Sequence, residues 1–148
     1  MAAVRRSDVT WRGDLMSGKG TVSASSSGVF KDLPVSWARR SEADANGVTS
    51  PEEMLAAAHA ACFAMAFSAG LARGGTPPEE LIVSAQVTFD RVGDGFKVTA
   101  SALDVRGRVP GLDAAGFQQA AEAAKDGCPI SGALKGNVDL SVTARLEN

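Results

Sequence analysis

Alternation of apolar and polar residues predicts β-strands at both ends of the chain and a hairpin in its middle. Short strand-like runs come first, at residues 9–11, 20–25 and about 34–40. The hairpin turns at Gly93-Asp94-Gly95, and the last strand alternates cleanly. Strands with one apolar face predict sheets covered on one side, hence mostly antiparallel pairing. The apolar positions are Val83, Ala85, Val87 and Phe89, then Phe96, Val98, Ala100 and Ala102, then Val138, Leu140, Val142, Ala144 and Leu146.

A long apolar helix is predicted between the first strands and the hairpin. Ser50-Pro51-Glu52-Glu53 supplies a capping box with proline at the first helical position, and Gly74-Gly75 ends the helix after Arg73. Residues 54–72 contain no charged side chain, a length that can span a bilayer. However, the run is largely alanine and has no flanking basic cluster or aromatic belt. We therefore expect no membrane span but a helix that is buried on all sides, with a partner subunit covering one face.

Two shorter helices are predicted after the hairpin. Asp113 caps a helix over about 114–125, and Cys128 caps a short third helix that has Pro129 at its first position. The element order βββ-α-ββ-α-α-β belongs to the α+β class. Because the 148 residues contain no repeat and no linker, we expect a single domain over residues 1–148.

Composition removes several classes of function. The net charge is -2 and no Lys/Arg block stands out, which argues against nucleic acid as a partner. No apolar segment follows the N-terminal arginines, so a cytoplasmic location is expected. With two cysteines, no CxxC motif and one histidine, a Cys/His metal site is not expected. Two cysteines in a reducing compartment are more often catalytic, redox-sensing or buried than a structural disulfide.

The two cysteines have different expected environments. Cys62 lies in the middle of the long helix, about 16 Å from its start. A thiol buried there has a raised pKa and is inert unless the fold brings an arginine or lysine to it. Cys128 lies at a helix N-cap, where amide donors favour the thiolate. Either residue alone can also be an inert packing or turn cysteine. Because they are sixty-six positions apart, only the fold can pair them.

Four further residues are candidates for chemistry. His59 lies one turn before Cys62, and a cysteine hydrolase using this pair is an alternative, although a structural histidine fits better. Arg39 and Arg40 end a predicted strand, so at most one of them faces a buried site. Glu52 suits a helix start. A glutamate that orients an arginine beside Cys62 is expected to come from an antiparallel copy of this helix across a two-fold axis.

Several segments resemble the OsmC/Ohr family in its OsmC branch. The strongest are residues 50–66, SPEEMLAAAHAACFAMA, and residues 124–131, AKDGCPIS. Residues 109–112, VPGL, and the N-terminal runs 11–15 and 18–22 also match. The resemblance implies an α+β fold, an intertwined homodimer whose central helices are sandwiched by two antiparallel β-sheets.

The family resemblance also implies an activity and a set of site residues. It implies a thiol peroxidase of the oxidative stress response, without metal or other cofactor, that reduces organic hydroperoxides and, more weakly, hydrogen peroxide. Cys62 would be the peroxidatic cysteine and Cys128 the resolving one, joined as a disulfide. Arg40, with Arg39 as a rival, would lower the pKa of the Cys62 thiol, and Glu52 would fix the guanidinium, we expect across the dimer interface.

The remaining expectations concern substrate, reductant and alternatives. Apolar neighbours of Cys62 are expected to favour an alkyl hydroperoxide; these are Phe63, Met65 and Phe67. The resemblance implies a dithiol reductant, either a lipoylated protein or dihydrolipoamide, with thioredoxin as the rival. Besides the cysteine hydrolase, the alternative is a catalytically silent binding or stress protein of the same fold, in which both cysteines are inert.

Overall fold

The computed structural model describes residues 1–148, which form two compact units, residues 1–54 and 55–148. The prediction of one domain stays a prediction. The elements, in chain order, are β1 (Asp8–Arg12), β2 (Lys19–Ser23), β3 (Leu33–Val35), α1 (Trp37–Ser41), α2 (Pro51–Arg73), β4 (Glu80–Val92), β5 (Gly95–Arg108), α3 (Ala114–Gly127), α4 (Pro129–Leu134) and β6 (Asp139–Leu146).

The first unit is built on an antiparallel sheet of order β1-β2-β3, as the alternation predicted. Its third strand is shorter than expected, and the prediction of a strand up to Arg40 is wrong. The hydroxyl of Ser36 accepts a hydrogen bond from the backbone N–H of Arg39 at 3.4 Å and caps the short helix α1. Arg39 and Arg40 therefore lie about 100° apart around a helix, not on opposite faces of a strand.

Helix α2 has the bounds that its capping residues predicted. Ser50 Oγ accepts from the backbone N–H of Glu53 at 3.1 Å. The carboxylate of Glu53 accepts instead from the hydroxyl of Thr49 at 2.6 Å, so only half of the predicted capping box forms. By length and hydropathy alone α2 is able to cross a membrane, and the core helix of a soluble protein meets the same criteria.

One face of α2 is covered and the opposite face is exposed, so the chain by itself does not bury the helix on all sides. The covered residues recur at every fourth position: His59, Phe63, Phe67 and Leu71. The exposed residues follow the same spacing: Ala57, Ala61, Met65 and Ala69. Met65 is 68% exposed, which is high for a large apolar side chain in the middle of a helix.

The second unit contains a mixed sheet of order β4-β5-β6. Strands β4 and β5 form the predicted antiparallel hairpin, but β6 runs parallel to β5, pairing Ala100 with Asp139 and Gly107 with Leu146. The expectation of two antiparallel sheets is therefore wrong for this one. Helices α3 and α4 lie between β5 and β6 in the chain, and a helical crossover of this kind is what parallel pairing requires.

A β-bulge changes the covered face of β5. Phe89 pairs with Val98 but Thr88 pairs with Ala100, so Thr99 is an extra residue on β5. One extra residue reverses the alternation beyond it. The covered positions are consequently odd-numbered, namely Ser101, Leu103, Val105 and Gly107, and the predicted set that included Ala100 and Ala102 is wrong. The faces predicted for β4 and β6 are confirmed.

The core of the second unit lies between α2, α3 and the mixed sheet. Three aromatic rings occupy its centre: Phe63 and Phe67 have ring centroids 5.4 Å apart, and Phe67 and Phe117 are 5.1 Å apart. All three side chains are fully buried. Strand residues Leu103 and Val105 belong to the same cluster. Packing of its covered face against this core positions the middle of α2, where His59 and Cys62 lie.

The side-chain cap of α3 makes a testable contribution to the stability of the second unit. The carboxylate of Asp113 accepts from the backbone N–H of Gly116 at 2.7 Å. We expect Asp113→Ala to lower the free energy of unfolding by about 1 kcal/mol in urea titrations, because a helix donor loses its partner. Asp126→Ala, an exposed change near the C-terminal end of the same helix, is the control and should not destabilise. Equal losses in both variants would contradict the capping role.

Candidate functional site

The second unit brings the two cysteines together. Cys62 comes from the middle of α2, and Cys128 lies at the junction that ends α3 and starts α4, with Pro129 at the first position of α4. Both are free thiols, and they are close enough for each to shift the pKa of the other. Cys128 is 1% exposed, whereas Cys62 is partly exposed. The juxtaposition that the sequence left open is thus a property of the fold.

The pKa values of the two thiols are shifted in opposite directions. Burial raises the pKa of Cys62, the neighbouring Cys128 raises it further, and the backbone N–H of Ile130 opposes both only in part. Burial also acts to raise the pKa of Cys128, but hydrogen-bonding groups outweigh it and the net pKa is lowered. These groups are the backbone N–H and hydroxyl of Ser131, the Cys62 thiol and the Ile130 N–H. Within one chain Cys128 is therefore the more acidic thiol of the pair.

His59 lies beside this pair, fully buried and hydrogen-bonded at both ring nitrogens. Nδ1 is 2.7 Å from the hydroxyl of Ser101, and Nε2 is 2.8 Å from the hydroxyl of Ser131. Ser101 faces the helix because of the bulge at Thr99. A hydrolase would need a ring nitrogen directed at Cys62, whereas both nitrogens here are directed at serines. This geometry supports the structural histidine that we expected over the hydrolase.

The buried histidine predicts a pH dependence of stability. Burial lowers the pKa of His59 below its ordinary value near 6.5. As the pH falls below about 6.5, the unfolded chain binds a proton at His59 before the folded chain does. The free energy of unfolding should therefore fall with decreasing pH, by at most about 1.4 kcal/mol per pH unit. His59 is the chain's single histidine, so His59→Gln should flatten this slope in urea titrations. An unchanged slope would contradict the assignment.

The first unit holds the predicted arginine and glutamate as a pair. Arg40 Nε donates to both carboxylate oxygens of Glu52 at 3.1 and 3.2 Å, and Nη2 donates to one of them at 2.7 Å. The Glu52 side chain is 9% exposed. The pair forms within one chain, so the expectation that it bridges the dimer interface is wrong. Arg39 binds Glu42 at 3.1 Å instead. Of the two rival arginines, Arg40 is the one that pairs with Glu52.

An apolar cavity of about 220 Å³ lies beside Arg40 in the first unit. The cavity was not predicted from the sequence. The signal that could have indicated it is the two tryptophans, Trp11 and Trp37, in a chain with few other aromatic residues. The aromatic neighbours of Cys62 were named instead, but Phe63 and Phe67 belong to the core and leave no surface for a substrate. The cavity is lined by Val9, Trp11, Leu15, Val22, Val35, Ser36, Trp37, Arg40, Pro51 and Met54.

The chemistry open to these groups follows from their types. Two adjacent thiols can exchange a pair of electrons by closing and opening a disulfide. A guanidinium held by a carboxylate keeps a fixed orientation and can donate to an oxyanion or peroxide. Nowhere do three or more His, Cys, Asp or Glu side chains cluster in a way that could hold a metal ion.

Comparison with known proteins places this geometry in a family. A family model described as "OsmC-like protein" matches residues 44–143, which include α2 and both cysteines. The chain belongs to the OsmC family. Peroxiredoxin OsmC of Escherichia coli K12 is 41% identical over 140 residues, which cover 95% of this chain and 96% of that protein. An organic hydroperoxide resistance protein of Xanthomonas axonopodis pv. citri is 34% identical over 64% of this chain and 66% of that one.

Solved structures confirm the OsmC-like fold. OsmC-like protein of Mycoplasma pneumoniae superposes with a TM-score of 0.75 at 14% identity, covering all of both chains. An organic hydroperoxide resistance protein of Elizabethkingia anophelis gives a TM-score of 0.74 at 23% identity, covering 99% of this chain and 100% of that one. The resemblance inferred from residues 50–66 and 124–131 is therefore confirmed, and so is the α+β class.

Proposed function

We propose that this OsmC family protein is a two-cysteine peroxidase that reduces organic hydroperoxides and, more weakly, hydrogen peroxide. The observation that carries the proposal is the pair of adjacent free thiols, Cys62 and Cys128, held by two separate elements. The names of its relatives, peroxiredoxin and organic hydroperoxide resistance protein, support a role in peroxide detoxification.

The proposed cycle has three balanced steps. The Cys62 thiolate attacks one peroxide oxygen, the O–O bond breaks, and the alkoxide takes a proton to leave as alcohol, which leaves a sulfenic acid on Cys62. The Cys128 thiolate then attacks the Cys62 sulfur, a disulfide forms, and hydroxide leaves and is protonated to water. An external dithiol reduces the disulfide by exchange and is itself oxidised. Dihydrolipoamide or a lipoylated protein is the proposed reductant, with thioredoxin as the rival.

Activation of Cys62 requires a cation, because its pKa within one chain is raised. We propose that the Arg40–Glu52 pair of a second subunit supplies it in a homodimer. The exposed alanine face of α2 suits close packing against an antiparallel copy. Ala57 lies on that face, five residues from Glu52 and five from Cys62. Two helices that cross antiparallel at Ala57 therefore bring Glu52 of one subunit opposite Cys62 of the other.

The apolar cavity beside Arg40 supports a preference for alkyl hydroperoxides. Its lining includes Trp11 and Trp37, and the Arg40 guanidinium reaches its wall. An alkyl chain gains hydrophobic stabilisation there, whereas hydrogen peroxide has no apolar part to bury. We propose that the protein acts as one folded domain in the cytoplasm, where dithiol reductants keep the cysteines reduced.

Peroxide consumption by the wild-type protein tests this function. We would supply excess dihydrolipoamide with either tert-butyl hydroperoxide or hydrogen peroxide and follow both rates, with mass spectrometry of the Cys62–Cys128 disulfide. Turnover with a higher kcat/KM for the alkyl substrate, and a disulfide only after oxidation, is the expected result. Equal rates for both substrates would exclude the preference. No turnover and no disulfide with dihydrolipoamide or thioredoxin would favour the silent binding protein.

A further inference from the structure

A hydrogen-bonded row of buried side chains leads from the mixed sheet to Ser131, three residues after Cys128. It starts at Ser101 on β5, passes through His59 on α2 at 2.7 Å, and reaches Ser131 on α4 at 2.8 Å. The hydroxyl of Ser131 also acts to lower the pKa of Cys128, which is buried beside it at the start of α4. Each of these four side chains is at most 2% exposed. Because water does not reach the row, the hydrogen on each group is assigned by its neighbours within the row.

The row has two consistent arrangements of hydrogens. A neutral imidazole carries a single N–H. If Nε2 of His59 carries it, Nε2 donates to the Ser131 oxygen, and the Ser131 hydrogen is directed to the Cys128 sulfur. If Nδ1 carries it, Ser131 donates its hydrogen to Nε2 and has none left for Cys128. Ser101 adapts to either case, since a hydroxyl both donates and accepts. The first arrangement fits a Cys128 thiolate, and the second fits a thiol.

We propose that His59 and Ser131 are positioning residues for Cys128. Neutral His59 turns the Ser131 hydroxyl toward the Cys128 sulfur, so that this sulfur attacks as a thiolate. This inference rests on the proposed function, in which Cys128 closes the disulfide. In that step the S–S bond forms, the S–O bond of the Cys62 sulfenic acid breaks, and hydroxide leaves as water after taking a proton. His59 stays neutral and acts only through Ser131, because its burial disfavours the imidazolium.

This role explains features that packing alone does not require. If His59 only filled space in the core, an apolar residue could take its place. A buried histidine must instead find a hydrogen-bond partner for each ring nitrogen, which has a cost. Here the bulge at Thr99 brings Ser101 to one nitrogen, and the start of α4 brings Ser131 to the other. The titratable neighbours of the row are Cys62 from α2 and Cys128 from the α3–α4 junction.

Titration of the Cys128 thiolate tests the inference without any peroxide. We would use Cys62→Ser as the background, which leaves one thiol and keeps a hydroxyl donor beside it, and follow thiolate absorbance in the ultraviolet against pH. Ser131→Ala should reduce the thiolate fraction about tenfold at a pH below the pKa, since a hydrogen bond to a charged acceptor is lost. Ser131→Thr, which keeps the hydroxyl, should restore most of it.

Ser101→Ala is the matched control, because it removes a buried serine–histidine hydrogen bond of the same kind without touching sulfur. Its effect on the thiolate fraction should be clearly smaller than that of Ser131→Ala. Equal shifts in the two variants, or no shift in Ser131→Ala, would overturn the inference. His59→Phe should shift the fraction in the same direction as Ser131→Ala; where that variant does not fold, the two serine variants decide.

A kinetic measurement separates this inference from the proposed function. After one equivalent of tert-butyl hydroperoxide, Ser131→Ala with both cysteines present should close the disulfide about tenfold more slowly at the same pH. Its Cys62 sulfenic acid should be trapped by dimedone for correspondingly longer. If the wild type forms no sulfenic acid, the proposed function fails while the thiolate titration still decides on His59 and Ser131. Unchanged closure in a protein that does form sulfenic acid would overturn the inference alone.

Discussion

Cys62→Ser should abolish hydroperoxide reduction, lowering kcat/KM for tert-butyl hydroperoxide by more than about a thousandfold, or ~4 kcal/mol of activation free energy. A serine hydroxyl remains protonated at neutral pH and has no lone pair of comparable reactivity toward an O–O bond. The replacement is close to isosteric, and Cys62 is only partly buried at the edge of the core, so the fold should be retained. Steady-state peroxide consumption with dihydrolipoamide measures the loss, and urea titration checks the stability.

Cys128→Ser is the informative companion of this variant. It keeps the attacking thiol but removes the resolving one, so peroxide should be consumed once per chain and then stop unless the external dithiol attacks the sulfenic acid directly. Mass spectrometry should find the dimedone adduct on Cys62 and no disulfide. If Cys128→Ser instead loses the first turnover while Cys62→Ser keeps it, the roles of the two cysteines are reversed. The lower pKa of Cys128 within one chain makes that exchange a real alternative outcome.

Local signals decided which parts of the fold were predictable. Helix α2 was predicted to the residue because Ser50, Pro51 and the Gly74-Gly75 pair mark its ends and the intervening run favours a helix. The covered face of β5 was not, because a single extra residue at Thr99 reverses the alternation without leaving a glycine or proline as a mark. The parallel pairing of β6 was also missed, since alternation reports a covered face and not a strand direction.

The same distinction applies to the candidate site. Short segments of sequence identified the four site residues, which are Cys62, Cys128, Arg40 and Glu52. The contacts of Cys62 with Cys128 and of Arg40 with Glu52 join different segments of the chain. The choice of Arg40 over Arg39 depends on α1, whose cap at Ser36 lacks the acidic residue that usually completes a capping box. The serine partners of His59 come from positions 42 and 72 residues away, and no local pattern connects them.

Arg40→Met should lower kcat/KM for tert-butyl hydroperoxide about a hundredfold, the usual effect of losing one charged donor at a reacting oxygen. Methionine keeps an apolar stem in the cavity beside Trp37 but removes the guanidinium that, as proposed, favours the Cys62 thiolate. Removing Arg40 alone also leaves the carboxylate of Glu52 buried and unpaired. The double variant Arg40→Met/Glu52→Gln removes that charge as well, so it should recover stability but not activity.

Arg39→Met is the matched control, since its neighbouring ion pair with Glu42 is at the surface and takes no part in the proposed site. Its activity should stay within about twofold of wild type. An equal loss in Arg39→Met and Arg40→Met would show a general effect of charge or of α1 rather than a specific donor. A hundredfold loss in Arg40→Met and in the folded double variant, but not in Arg39→Met, assigns the Arg40 guanidinium to the reaction.

Mixing two inactive variants shows which subunit supplies the arginine. If Arg40 of one subunit acts on Cys62 of the other, a mixed dimer of Cys62→Ser and Arg40→Met chains contains one intact site, formed by the cysteine of the second chain and the arginine of the first. After the chains are unfolded and refolded together, random pairing should restore roughly a quarter of wild-type activity. If Arg40 acts on Cys62 of its own chain, every site in the mixture lacks one group and activity stays at the level of the separate variants. We expect recovery, as the proposed homodimer requires, because the pKa of the Cys62 thiol is raised and a cation must lower it before the thiolate forms.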